Sequence, residues 1–133
     1  SIRIVCQASD SLEGVRSEIE QVFTNLLQNA VKYMGDTRCP VIEIGSTRAG
    51  EVSECFVKDT GIGIDPAQHE RIFEVFHRVQ DVECEGSGVG LAIVKKIIAA
   101  AGGRVWVDST KGQGATFRFT WPNSSRRHAR ATA

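Results

Sequence analysis

A short segment with two glycines, Asp59–Ile64, constrains the fold of this chain more than any other feature of its sequence. The alternating residues before it, Val52–Asp59, predict a strand that ends in a carboxylate and then turns through Gly61 and Gly63. Because glycine has no side chain, a flat ligand can approach such backbone closely, with the carboxylate as a fixed hydrogen-bond acceptor. The segment therefore predicts a nucleotide pocket in which the carboxylate meets the base.

The composition limits the chain to one domain. A chain of 133 residues, 41% of them hydrophobic, can bury a single adequate core. We assign that domain to residues 1–122 and predict a disordered tail for residues 123–133, which are rich in Ser, Arg and Ala without an apolar pattern. The 16 basic and 16 acidic residues balance, which argues against a nucleic-acid or anionic-membrane partner.

The sequence also indicates the compartment. No apolar run approaches the roughly 18 residues needed to span a bilayer, and no secretory signal precedes the first predicted strand. The four cysteines match neither a zinc pair nor a dense disulfide framework, and Cys55 falls among core residues. We therefore expect a cytoplasmic domain with reduced thiols and no membrane contact.

Hydrophobic periodicity predicts an α/β fold with about three helices on one face of the sheet. Two strands joined across Gly50 should pair antiparallel. Asp65 is a plausible N-cap for the middle helix, and Gly102 ends the last one. The predicted strands are 2–7, 41–47, 52–59 and two around Val105 and Phe117; the predicted helices are about 16–34, about 66–76 and about 89–101.

Polar residues share one face of the first long helix. Asn25, Asn29, Lys32 and Tyr33 lie beside its apolar stripe. Amide oxygens suit magnesium, lysine suits phosphate, and tyrosine offers an aromatic surface beside a base or ribose. Such asparagines are more often solvated or capping residues, but the neighbouring glycine clusters favour a ligand site here.

Asp59 alternates in phase with Cys55 and Val57, so it should point into the core. A buried carboxylate is costly unless a donor meets it, and a purine amino group is such a donor. The alternative is a turn aspartate that bonds the amides following it in sequence.

A second glycine cluster, Gly86–Leu91, stands immediately before the last helix. Free N–H groups and the positive end of the helix dipole favour an anion there. The cluster is neither a Walker loop nor a dinucleotide fingerprint. The charged, aperiodic stretch from His77 to about Gly86 precedes it and predicts a mobile lid over bound phosphates.

Five segments in order resemble the motifs of sensor histidine kinases. Asn25–Tyr33 resembles the N box, Asp59–Ile64 the first glycine box, Ile72–Arg78 the F box, Gly86–Leu91 the second glycine box, and Gly112–Phe117 the closing glycine-threonine segment. Gly102–Ser109 is most similar to kinases attached to phytochrome or PAS-type sensors. The resemblance implies the Bergerat fold, a two-layer α/β sandwich with a mixed, mostly antiparallel sheet.

The resemblance also implies the roles of individual residues. Asp59 would bind the adenine amino group, Asn29 the magnesium ion of Mg-ATP, and Asn25 and Lys32 the reacting phosphates, while Tyr33 would touch the base or ribose edge. The remaining residues implied to contact ATP are Gly61, Gly63, Ile64, Arg78, Gly86, Ser87, Gly88, Val89, Gly90, Leu91 and Thr116.

The implied function is donation of the γ-phosphate of ATP to a histidine on a separate dimerisation domain, and from there to a response regulator. No phosphoacceptor box occurs in these residues, and we interpret His69 as an ordinary surface residue. The isolated domain should therefore be inactive alone. We also expect it to be monomeric. Asn25 stands where a gyrase-like ATPase keeps its acidic base, which disfavours hydrolysis. An anti-sigma-type serine kinase, an ATPase of the same fold and a nucleotide-responsive binding module remain alternatives.

Val15 replaces an aspartate that opens the first helix in many relatives, so the N-terminal end of that helix should be weakly capped.

Overall fold

The computed structural model of the chain describes residues 2–6, 12, 14–74 and 90–122. The predicted lid, Arg78, residues 86–89 and the predicted tail lie outside these ranges. The described elements are β1 (Arg3–Cys6), α1 (Arg16–Lys32), β2 (Val41–Ala49), β3 (Val52–Asp59), two single-turn 3-10 helices (Pro66–Gln68 and Arg71–Phe73), α2 (Gly90–Ala101), β4 (Val105–Ser109) and β5 (Ala115–Pro122).

The five strands form one sheet in the order β1-β2-β3-β5-β4. β1 pairs with β2 in parallel, and every other neighbouring pair is antiparallel. The hairpin between β2 and β3 turns at Gly50, whose φ of +64° lies in the left-handed region that glycine tolerates. The predicted hairpin and the mixed, mostly antiparallel sheet are therefore confirmed.

One face of the sheet packs against α1 and α2. The inward-facing residues of β3 alternate as predicted, so that Cys55 and Val57 are fully buried and Asp59 is 3% exposed. Burial raises the pKa of the Cys55 thiol to about 12, which makes it an inert core residue. The largest fully buried side chains are Trp121, Phe117, Phe119, Leu26, Ile42, Ile98, Val22, Val57 and Val94.

The opposite face of the sheet is polar and aromatic. Phe56, Arg118 and Trp106 are in register across β3, β5 and β4. Arg118 Nε donates to Asp108 Oδ2 at 2.9 Å, and its guanidinium lies over the Phe56 ring at 5.9 Å from the centroid. These half-buried cross-strand pairs stabilise the face that carries no helix among the described residues.

The number of helices was predicted too high. The described residues contain two α-helices, and the helix predicted from Pro66 to Phe76 is instead two 3-10 turns that end at Phe73. Within residues 66–73 only the adjacent Ile72 and Phe73 are buried, so this described part has no i, i+4 stripe that would hold an α-helix against the core. The predicted cap is correct, because the Asp65 carboxylate accepts from Ala67 N at 2.9 Å.

The ends of both α-helices follow the sequence signals. Val15 precedes α1 without any side-chain cap, as expected, and α1 ends at Lys32, two residues earlier than predicted. Gly102, with a φ of +95°, terminates α2. In the part of the chain that the structure describes, neither helix has the length and apolar character to cross a membrane.

Replacing Leu26 by alanine tests the position of the core. Leu26 is fully buried on α1, so its truncation should lower the free energy of unfolding by about 2–5 kcal/mol. The matched control is Leu27→Ala, because Leu27 is only half-buried on the same helix. Urea denaturation should show a clearly smaller loss for the control, and equal losses would contradict this packing of α1.

Candidate functional site

Asp59 lies at the floor of the candidate site, at the end of β3. Its Oδ1 accepts from Gly61 N at 2.9 Å and from Ala115 N at 3.3 Å. The first bond is that of the turn aspartate considered from the sequence, whereas the second comes from β5, 56 residues away. Because both bonds end on Oδ1 within the described residues, Oδ2 keeps its capacity to accept a further hydrogen bond.

Burial controls the charge of Asp59. Removal from water raises the pKa of this carboxyl above its ordinary 3.8, and the hydrogen bonds from Gly61 and Ala115 offset part of that rise. A donor that approaches Oδ2 would favour the ionised form in the same way. Among the described residues, the carboxylate is therefore an acceptor with one oxygen that no donor meets.

The glycine turn after Asp59 is pressed against the end of α1. Ile62 N donates to Tyr33 O at 2.9 Å, and a Cβ on Gly61 would collide with the same carbonyl oxygen. Gly63 has a φ of +74°, and a Cβ there would collide with Thr110 O. Both glycines are thus required by close backbone contacts, which also join the turn to Tyr33 of the predicted site.

Two threonines, which the sequence analysis did not single out, tie the glycine turn to the segment after α1. Thr37 Oγ1 lies 2.8 Å from Met34 O and 2.9 Å from Thr60 O, so its hydroxyl can donate to either carbonyl. Thr60 Oγ1 accepts from Val41 N at 2.9 Å. Threonines just after a helix or a strand are common in proteins. The sequence therefore could not identify the partners of these two hydroxyls, which lie 23 and 19 residues away.

Hydrogen bonds to both the N–H and the carbonyl oxygen of Ile64 fix the end of the glycine turn. Its N–H donates to Ser109 Oγ at 2.8 Å, and Ser109 Oγ donates to Gly114 O at 2.6 Å. Its carbonyl oxygen lies 3.1 Å from His69 Nε2, which donates in the tautomer that carries the proton on that nitrogen. Sequence analysis gave neither Ser109 nor His69 a role at this site.

The predicted polar face of α1 borders the site. Asn25, Asn29 and Tyr33 are half-buried, and Lys32 is exposed. Asn25 Nδ2 is buried and has no hydrogen-bond partner among the described residues. A Cβ on Gly90 would lie 3.9 Å from Asn25 Oδ1, so the first turn of α2 stands beside this amide. The first turn of α2 and the asparagine face are thus brought together.

Not all predicted residues converge in the described structure. Thr116 pairs in register with Lys58 and Asp108, which face the side of the sheet without helices, so its side chain points away from Asp59. Leu91 is half-buried in the first turn of α2. Arg78, Gly86, Ser87, Gly88 and Val89 lie outside the described residues.

A protein-family model matches most of this chain. The family described as "Histidine kinase-, DNA gyrase B-, and HSP90-like ATPase" matches residues 14–125, which include the asparagine face, the glycine turn and β5. The match therefore spans most of the chain and every described residue of the candidate site.

Curated relatives of the chain are sensor kinases, as the motifs predicted. The methanogenesis regulatory histidine kinase FilI of Methanothrix harundinacea is 49% identical over 107 residues, and cyanobacterial phytochrome A of Nostoc sp. is 44% identical over 115 residues. These alignments cover 80% and 86% of this chain but 12% and 15% of the relatives. The chain thus spans less than a sixth of their length.

Solved structures confirm the fold class. A nucleotide-free catalytic domain of histidine kinase ThkA superposes with a TM-score of 0.79 at 28% identity, over 95% of this chain and 82% of that one. Full-length ShkA in complex with AMPPNP gives a TM-score of 0.75 at 34% identity, over 91% of this chain and 25% of that one.

The raised pKa of Asp59 predicts how its replacement alters stability with pH. The folded state binds the proton more tightly than the unfolded state, so this stabilisation is complete below about pH 3.8 and is lost as the pH rises through the raised pKa. Asp59→Asn keeps Oδ1 as an acceptor but cannot ionise. Between pH 4 and 7, the free energy of unfolding of the wild type should therefore fall relative to that of the variant. Urea denaturation across this range measures the difference, and a wild type that gains relative stability towards pH 7 would show that Asp59 is stabilised as an anion.

Proposed function

The chain belongs to the histidine kinase-, DNA gyrase B- and HSP90-like ATPase family, and we propose that it binds Mg-ATP and donates the γ-phosphate to a histidine on a separate domain. The observation that carries this proposal is the buried Asp59 carboxylate, which is fixed through Oδ1 and has Oδ2 available beside a glycine turn. An acceptor held in this way suits the amino group of adenine.

Adenine recognition would use the residues that surround Asp59. Its Oδ2 accepts from the exocyclic amino group, which supplies the donor that the buried carboxylate lacks. Gly61 and Gly63 let the turn pack closely against Tyr33 O and Thr110 O, and Ile64 would give an apolar surface. Tyr33 lies next to Gly61 and would contact the base or ribose edge.

The phosphates and the metal would lie between α1 and the start of α2. Asn25 Nδ2 is buried without a partner among the described residues, and a phosphate oxygen would satisfy this donor, so the site fits a nucleotide phosphate. Asn29 would hold magnesium through its amide oxygen, and Lys32 adds a positive charge. A magnesium ion held there would supply positive charge against the phosphates. The N-terminus of α2 attracts the same anion.

Residues outside the described ranges complete this proposal. Arg78 would contact phosphate, and Gly86–Val89 would continue the anion site that begins at Gly90. The charged segment from His77 to Gly86 would close over the triphosphate as a lid. Thr116 would contribute through its backbone, since its side chain faces the other side of the sheet.

Transfer to a histidine agrees better with this site than hydrolysis does. Asn25 is neutral and cannot take a proton from water as an acidic residue could. His69 is not a suitable acceptor, because its Nε2 contacts Ile64 O in the wall of the site. The acceptor would therefore be a histidine on a dimerisation domain, in the parent protein or in trans, and a response regulator would take the phosphate next. Free Cys6, Cys39 and Cys55 agree with a cytoplasmic setting.

Asp59→Asn should reverse the preference for adenine. Asn Oδ1 can still accept from Gly61 and Ala115, but Nδ2 then faces the adenine amino group, donor against donor. The affinity for ATP should fall roughly 10-fold or more, while GTP, which presents a carbonyl there, should lose nothing or gain. Isothermal calorimetry with both nucleotides measures this. The matched control, Asp65→Asn at an exposed turn, should keep the wild-type preference, and unchanged ATP affinity in Asp59→Asn would remove Asp59 from the site.

The transfer reaction itself is tested with a cognate histidine-bearing domain and labelled ATP. The chain alone should bind Mg-ATP, hydrolyse it slowly and remain unlabelled, whereas the partner should gain an acid-labile, base-stable phosphate. Asn29→Ala should reduce labelling and shrink the gain in ATP affinity that magnesium gives, because it removes a metal ligand. Gln28→Ala, an exposed amide one residue away, serves as the matched control.

Three outcomes would contradict the proposal of a histidine kinase domain. Brisk hydrolysis that persists in Asn25→Ala would favour an ATPase, and phosphate that survives acid on a serine of a partner would favour a serine kinase. Nucleotide binding without labelling of any cognate histidine domain would favour a nucleotide-responsive binding module.

A further inference from the structure

The peptide group between Gly114 and Ala115 is held from both ends. Its N–H, which belongs to Ala115, donates to Asp59 Oδ1 at 3.3 Å. Its carbonyl oxygen, which belongs to Gly114, accepts from Ser109 Oγ at 2.6 Å. Because a peptide group is planar, these two contacts fix its orientation together. Losing the contact at the oxygen would release the N–H as well.

Gly114, which supplies the carbonyl of this peptide group, explains why the orientation of the group has to be fixed. Gly114 has a φ of +79°, and a Cβ on it would collide with Asp59 O, so only glycine fits. Glycine also allows the following peptide to rotate at low cost. A rotated peptide would turn the Gly114 carbonyl oxygen towards the Asp59 carboxylate, acceptor against acceptor.

Ser109 also reaches the glycine turn on the other side of Asp59. Its Oγ accepts from Ile64 N at 2.8 Å, three residues after the Gly61 amide that forms the second bond to Asp59 Oδ1. A hydroxyl can accept and donate at once, so this single side chain connects the two segments that carry the donors to Oδ1. Gly112 N donates to Ile62 O in the same contact between the segments.

We propose that Ser109 is a positioning residue that directs Oδ2 of Asp59 towards the adenine amino group without touching the nucleotide. This inference rests on the proposed function, since it concerns how the same site selects its base. The carboxylate is planar, so the two donors on Oδ1 determine where Oδ2 points. Ser109 holds both donor segments in place and thereby sets the selectivity for a 6-amino purine.

The test compares ATP with the purine ribonucleoside triphosphate that lacks only the 6-amino group. The ratio of the two affinities measures the contact with Asp59 and is insensitive to general loosening of the phosphate site. The variants Ser109→Thr and Ser109→Val have side chains of nearly equal shape, and only the first keeps a hydroxyl. Both are β-branched and suit the end of strand β4, so folding is expected in each.

The wild type should prefer ATP over the analogue by roughly 5- to 30-fold, the value of about one or two hydrogen bonds. Ser109→Thr should keep that ratio. Ser109→Val and Ser109→Ala should lower it at least about threefold, mainly through weaker ATP binding. In amide exchange followed by nuclear magnetic resonance, the N–H groups of Ile64 and Ala115 should lose protection together in both of these variants.

Ser53→Ala is the matched control for a purely structural effect. Ser53 is a fully buried serine on β3, and its truncation should lower stability while leaving the ratio unchanged. A wild-type ratio in Ser109→Val, or an equal loss of affinity for both nucleotides, would overturn the positioning role while the proposed function stands. No binding of ATP by the wild type would overturn both.

Discussion

The burial of one carboxylate determines how this domain is assembled around its site. Asp59 is almost fully removed from water, and its ionised form is tolerated only where donors meet it. The protein supplies two backbone N–H groups, one from the turn that follows Asp59 and one from β5. Both N–H groups bond to Oδ1, so Oδ2 is left without a donor among the described residues and is a strong acceptor in an apolar setting. The selectivity that we propose for adenine follows because its amino group would give Asp59 Oδ2 the hydrogen bond that the described residues do not supply.

The same contacts explain why the glycines lie where they do. Gly61, Gly63 and Gly114 each sit so close to a carbonyl oxygen that a Cβ would collide with it. These oxygens belong to Tyr33, which caps α1, to Thr110 in the β4–β5 connection, and to Asp59 at the end of β3. The three glycines therefore allow close backbone contacts between the turn after Asp59, the end of α1 and the β4–β5 connection.

Sequence reasoning succeeded where a signal is local and failed where partners are distant. The alternation from Val52 to Asp59 predicts both the strand and the inward carboxylate, because the side-chain period of a strand is fixed. The apolar stripe of α1 predicts its asparagine face in the same way. Pro66 and Asp65 signal the start of a helix but not its length, which tertiary packing limited to single turns. Ser109 and Thr37 carry no recognisable signal, since an ordinary hydroxyl becomes informative only when its partners are known. The ligand-binding roles assigned to all the site residues, including Asp59, Asn29, Lys32 and Arg78, stay predictions.

The strand order has a consequence for the biosynthesis of this domain. β5 follows the other four described strands in sequence, yet it lies inside the sheet between β3 and β4, and its first residue supplies the second N–H to Asp59. A ribosome-bound chain that ends before Ala115 has both described α-helices and four of the described strands, but it lacks the strand that joins β3 to β4 and the second N–H at the floor for the base. Because this pairing joins residues far apart in sequence, it is also among the slower contacts to form. The adenine site that we propose would thus be complete only after β5 has been translated and has paired with β3.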